Sequence, residues 1–356
     1  MPDSTSSFLP RALFFCATIL FLCTVEMEAQ ATSPTSPAPP AMREVIDGFG
    51  RTVRVPVNPL RIVSLAPSLT ETLYALRVED RLVGVTNYCD YPPEAKKKPK
   101  VGGVINPNLE EIAALHPDLV LMSKEGNLLD TVRSLEALGI PTYATDAHTI
   151  DEIISSTEKL ADVLNVPAAG KALAGDLQSR LAALQSKLGA VPPKRALFIV
   201  WPEPLISVGK DTFIADALRR AGAVSIVNSS QDWPQINLEE VAHLQPEYLV
   251  FAPSHSESPT HDFEALANRP GWRILDAVNN RHFAIVSDAI DRPAPRIVSV
   301  IEDLAHQLHP EVFLETPGTE KVTPPANSQV PVPSRPKPMA LRSVASPCTL
   351  ESPCAR

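Results

Sequence analysis

Asn108–Leu121 reads NLEEIAALHPDLVL, and Asn237–Val250 reads NLEEVAHLQPEYLV. Asn, Leu, Glu, Glu, Ala, Leu and Pro fall at matching positions. In each copy the asparagine suits a helix N-cap. The acidic pair then sits in the first turn, where the helix dipole favours negative charge. The residue before each proline is pushed out of the α region, so the helix stops and an apolar strand begins. A helix–strand unit present once in each half of the chain predicts two similar α/β lobes in tandem.

The flanking sequence fits that plan. Arg43–Pro56 (REVIDGFGRTVRVP) reads as two short strands about a turn at Asp47–Gly50. Arg61–Leu65 is an apolar strand that runs into Ala66-Pro67-Ser68 and a helix, and Leu82–Thr86 is the next strand. Strand Asp118–Ser123, helix Leu128–Leu138 and strand Ile140–Thr145 follow. A second run holds strand Ala196–Val200, helices Ile214–Ala221 and Leu238–Leu244, strands Tyr248–Ala252 and Phe283–Ser287, and a closing helix over Arg296–Leu308. Strands alternating with helices predict parallel sheets. Between the runs, Pro167 and Gly189 bracket one long helix, with Leu173, Leu177, Leu181, Leu184 and Leu188 on one stripe. Some twenty residues at a 1.5 Å rise reach about 30 Å, enough for a strut between lobes. The same stripe suits an ordinary core helix of one large domain. The expected architecture is α/β: two Rossmann-like lobes joined by a single backbone helix, with a ligand cleft between them. The lobes fall at 43–166 and 191–310, and the helix at 167–190.

The ends differ from the middle, and many of the 37 prolines gather there. Ala12–Val25 (ALFFCATILFLCTV) follows Arg11 and precedes Ala29-Gln30-Ala31, the pattern of a cleavable secretory signal over residues 1–31. The run is short of the ~20 apolar residues a membrane span needs. Leu22 before Cys23 argues against lipid attachment there, since lipoprotein signals usually carry a small residue at that place. Residues 32–42 read as a Pro-rich tether, and 311–356 as a disordered Pro-rich tail. Export predicts a periplasmic protein, and a monomer is expected. The formal net charge of -9 argues against nucleic acid as a partner.

No catalytic constellation stands out. There is no phosphate loop, no G-x-S-x-G elbow and no H-E-x-x-H pair. His306 and His309 read as surface residues, Cys89 has no evident partner, and no cofactor or metal site is expected. Ligands in open α/β sheets bind beyond the carboxyl ends of the strands. Those ends carry Ser64–Ser68, Asn87-Tyr88, Trp201–Pro204, Asp232–Pro234 and Ser287–Pro293. Aromatic walls with a few polar groups suit a large flat organic ligand. Each aromatic alone fits hinge or core packing equally well.

These segments resemble the periplasmic substrate-binding proteins with a single helical backbone, which serve siderophore, haem and vitamin B12 importers. The resemblance covers roughly Val45–Leu308 and is carried by DGFGRTVRVP, RIVSLAPSLTETLYAL, VGVTNYCDYPPEAKKKPKVGG, the two NLEE segments and SDAIDRPAPRI. It is strongest to the vitamin B12-binding members. It implies that the chain is not an enzyme but hands a corrinoid to an ABC permease dimer. A ferric siderophore or haem is the alternative within the family, and a chelatase on the same fold the alternative outside it. It further implies ligand contacts at Tyr88, Trp233, Asp288 and Arg292. Glu110 and Glu239 would dock on permease arginines, though dipole and capping alone also explain both. Two departures stand out. Val104 occupies the place of a further aromatic, for which Trp201 offers a substitute wall. Ala221 and Ala305 stand where the corrinoid binders carry disulfide cysteines.

Overall fold

The computed structural model describes residues 40–189, 191–252 and 264–314. The expected signal, most of the tether and the tail from residue 315 lie outside the described residues. A hairpin of β1 (Met42–Ile46) and β2 (Thr52–Pro56) opens the fold. Its Gly48 lies against the last strand of the first sheet: an added Cβ would meet the Thr145 carbonyl carbon at 2.6 Å.

The first lobe is a parallel sheet of β3 (Ile62–Ser64), β4 (Leu82–Val85), β5 (Leu119–Ser123) and β6 (Thr142–Thr145), in the order β4-β3-β5-β6. The second contains β7 (Lys194–Ile199), β10 (Ala223–Ser225), β11 (Tyr248–Phe251) and β12 (Phe283–Ile285), in the order β10-β7-β11-β12. A small hairpin, β8 (Trp201–Pro202) with β9 (Leu205–Ile206), leaves the end of β7. Both sheets therefore run second, first, third, fourth. Helices α1 (Pro67–Ala75), α2 (Leu109–Ala114) and α3 (Leu129–Ala137) belong to the first lobe.

The two NLEE segments occupy equivalent places. Asn108 caps α2, accepting from the backbone N–H of Glu110 at 3.0 Å and of Glu111 at 3.2 Å. After α4 (Ile150–Val163), α5 (Pro167–Leu188) and α6 (Phe213–Arg220), Asn237 caps α7 (Leu238–Leu244) with one bond from Glu239 N–H at 2.9 Å. Both helices precede the third strand of their sheet, and both end on a left-handed residue before proline: His116 at φ 46° and Gln245 at φ 42°.

The long helix α5 lies between the two sheets in chain order. Leu177, Leu181, Leu184 and Leu188 are buried in the core of the second lobe, while half-buried Leu173 packs against the cores of both lobes. Helix α4 also bridges. Ile150, Ile153 and Ile154 join the second lobe's core, and Leu160 and Ala161 the first's. Buried Asp216 of α6 accepts from the Ile150 N–H at 2.8 Å, and Arg220 reaches Asp151 at 2.7 Å. Helix α4 thus packs against the cores of both lobes beside α5.

Two expectations need correction. His309 is buried, with Nε2 2.9 Å from the Gly222 carbonyl, because the closing helix Ile297–Leu308 turns its end into the core. Folded structure also continues past residue 310. Helix Pro310–Phe313 stacks Phe313 on His306 at 3.7 Å, and Lys187 lies over the same ring. Ala221 and Ala305 are fully buried in one core cluster. Among the described residues no helix is long and apolar enough to cross a membrane.

Candidate ligand-binding cleft

The carboxyl ends of both sheets open on one cleft of about 550 Å³. The first lobe contributes Pro67, Ser68, Asp90, Val104 and Glu125; the second contributes Trp201, Trp233, Asp288, Asp291 and Arg292. Mixed apolar walls with a few polar groups are the usual make-up of a small-molecule site.

Each wall is held in place locally. Asn127 is 4 % exposed, and its Nδ2 donates to the Leu65 carbonyl at 3.1 Å and the Val104 carbonyl at 2.7 Å. Its Oδ1 accepts from Ser123 N–H at 2.8 Å. One buried amide thereby ties together three loops of the first lobe. Opposite, the Trp201 indole N–H donates to the Glu203 carbonyl at 2.8 Å. The Trp233 loop is laced to the segment after β9 by Ser207 N–H to Pro234 O at 3.0 Å and Gly209 N–H to Asp232 O at 2.9 Å. Only glycine fits that approach, since a Cβ on residue 209 would meet the Gln231 carbonyl oxygen at 1.9 Å. The two indoles remain half-exposed in the cleft while their backbones are fixed, the preorganisation that limits the ordering cost of binding.

A charge network crosses from lobe to lobe. Glu71 of α1 is buried at 3 % side-chain exposure. It accepts from Arg292 Nη1 at 2.7 Å, Arg296 Nε at 2.9 Å and Arg296 Nη2 at 2.9 Å. Arg292 Nη2 also lies 2.8 Å from Asp90 and 3.2 Å from Asp288. Arg296 lies 3.8 Å above the Tyr91 ring. Burial alone would lower the Arg292 pKa, but the bonds to Glu71 and Asp90 outweigh it and raise the value. Burial likewise opposes ionisation of Asp90, and the Arg292 hydrogen bond overcomes it, holding that carboxyl below its usual range.

Of the expected contacts, Trp201, Trp233, Asp288 and Arg292 are brought together in the cleft. Tyr88 is not among the lining residues; its side chain is 63 % exposed. Its neighbour Cys89 is buried, with Thr70 Oγ1 at 3.2 Å and Thr86 Oγ1 at 3.1 Å from Sγ. From the same loop it is Asp90 that reaches the cleft. Glu71, Asn127, Glu125 and Asp291 escape a reading of the sequence; only their position after strand ends marks Glu125 and Asp291. Glu110 and Glu239 are exposed, at the starts of α2 and α7.

The periplasmic binding protein family model matches residues 62–289, and the chain belongs to that family. Among relatives, it is 32 % identical over 254 residues to the vitamin B12-binding protein of Vibrio cholerae, covering 70 % of this chain and 88 % of that one. It is 31 % identical over 277 residues to an uncharacterised ABC transporter substrate-binding lipoprotein of Bacillus subtilis, covering 76 % and 86 %. The solved structure of the V. cholerae periplasmic vitamin B12-binding protein aligns with TM-score 0.62 at 29 % identity, over 73 % of this chain and 100 % of that one. A periplasmic haem-binding protein of Pseudomonas aeruginosa aligns with TM-score 0.65 at 26 % identity, over 71 % and 93 %.

Proposed function

We propose that this chain is an exported, non-enzymatic binding protein that presents a corrinoid to an ABC importer. The observation that carries the reading is the pair of fixed, half-exposed indoles, Trp201 and Trp233, facing a cleft whose described cationic side chain is already taken. Arg292 is committed to Glu71, Asp90 and Asp288. A carboxylate or catecholate chelate would have to displace those partners. A corrinoid carries a ring of uncharged amides, which donate to carboxylates and lay a flat macrocycle on aromatic faces. Its relatives named for vitamin B12 support the same choice.

Docking on the permease falls to Glu110 and Glu239, which the two lobes offer at equivalent helix starts. Two like charges on similar lobes suit the two subunits of a symmetric partner. The test of ligand class is a titration of the exported protein with cyanocobalamin, haem and a ferric siderophore, followed by absorbance and calorimetry. One cyanocobalamin per chain is the expected result. Saturable binding of haem or siderophore with no corrinoid binding would replace the reading.

A further inference from the structure

The charges lining the cleft are unevenly partnered. Arg292 and Arg296 are both held by Glu71, with Asp90 and Asp288 completing the network. Glu125 and Asp291 line the same cleft, one from each lobe. Neither has a hydrogen bond or ion pair among the described residues. Both side chains are open to solvent inside the cleft and yet enclosed by its walls. Enclosure pushes the Asp291 carboxyl up to about 6, with Asp288 adding to the rise and Arg292 opposing it. Enclosure also raises the Glu125 carboxyl; His148 opposes the rise, while Asp232 and Asp146 add to it. His148 and Lys124 are themselves engaged by Asp146, at 3.0 Å and 2.6 Å. No free cation therefore faces either carboxylate among the described residues.

A partly dehydrated carboxylate without a counter-ion gains from N–H donors and repels anions, more strongly than it would in open water. The two side chains meet a ligand from opposite lobes, so any ligand that spans the cleft must answer both. We propose that Glu125, acting with Asp291, sets the ligand class of this cleft: it admits metal chelates rimmed with neutral amides and turns away chelates with peripheral carboxylates. The proposal rests on the corrinoid reading above and deepens it by naming the residues that choose.

The test uses the full chain and two probes, cyanocobalamin and its monocarboxylates, in which one peripheral amide is replaced by a carboxylate. At about pH 7.5 the wild type binds the amide form roughly tenfold more tightly than the acid forms, which corresponds to about 1.4 kcal/mol. Glu125→Gln and Asp291→Asn each shrink that ratio severalfold, with thermal melts confirming that both variants fold. At about pH 5.5 Asp291 is largely protonated while the ligand acid, an ordinary carboxyl, stays largely ionised. The wild-type ratio narrows there, and the Asp291→Asn ratio moves less. Equal affinity of the wild type for both probes, or an unchanged ratio in Glu125→Gln, overturns the proposal while leaving corrinoid binding intact. Failure of the wild type to bind either probe removes the corrinoid reading and this inference together.

Discussion

The two lobes share one scaffold and part company at the cleft. Their sheets have the same order, their NLEE helices precede the same strand, and even the left-handed residue ending each helix recurs. The cleft loops repeat none of this. The first lobe brings acidic and small side chains, with Asn127 tying the backbone of three of its loops; the second brings both tryptophans and the arginines. A parallel sheet supports its loops through backbone bonds, so loop sequence can diverge without cost to the scaffold. What both lobes do alike sits on the repeat, and what they do differently sits on the loops.

The sharpest way to break that division is charge reversal on the repeat. Glu110→Arg and Glu239→Arg are each expected to impair stimulation of the cognate transporter's ATPase, and together to abolish it, with cyanocobalamin affinity unchanged. Loss of one partner of a desolvated pair costs about 2–5 kcal/mol. Full stimulation by the double variant would return both glutamates to the helix dipole alone.

Next in size is Glu71→Ala, which removes the buried carboxylate that Arg292 and Arg296 share and leaves them only Asp90 and Asp288. Removal of one member of a buried ion network costs about 3 kcal/mol, to be read by urea denaturation. A loss below about 1 kcal/mol would mean that α4 and α5 hold the lobes without help from this network.

Trp233→Ala should weaken cyanocobalamin binding by roughly thirtyfold, about 2 kcal/mol, as for other aromatic anchors. Tyr88→Ala should change it little, since Tyr88 lies outside the cleft lining. A larger effect at Tyr88 than at Trp233 would relocate the ligand wall to the first lobe.

The smallest effect sharpens the comparison within the repeat itself. Asn108→Ala should destabilise by about 1 kcal/mol and Asn237→Ala by less, because Asn108 accepts two backbone N–H groups and Asn237 one. Equal losses in thermal melts would mean that the second bond at Asn108 adds nothing to the cap.

Much of the fold was legible because its signals are local. Helix α2 begins at the expected asparagine and stops short of Pro117, and the α5 stripe is buried from Leu177 to Leu188. Strand β10 was not legible: it is three residues long, and Val224 at its centre is 42 % exposed, so no apolar run marks it. Helix α4 carries a local signal in the sequence, the reciprocal capping box of Thr149 and Glu152 at its start. In the cleft, the tryptophans announced themselves by rarity and by following strand ends. Glu125 did not, because an exposed glutamate after a strand is ordinary until its surroundings are known.

By itself the sequence determined the repeated helix–strand unit, its stops and its caps, because backbone sterics and side-chain periodicity act within a few residues. Only the tertiary structure decided what the arginines do. The family resemblance implies a ligand contact at Arg292, and its main partner within the chain, Glu71, lies 221 positions away. Packing α1 against the loop after β12 brings the two together at 2.7 Å. The same packing leaves Glu125 and Asp291 lining the cleft with no ion pair among the described residues. Electrostatic pairing depends on distance in space and on local solvent exclusion, and neither is written in the spacing of residues along the chain.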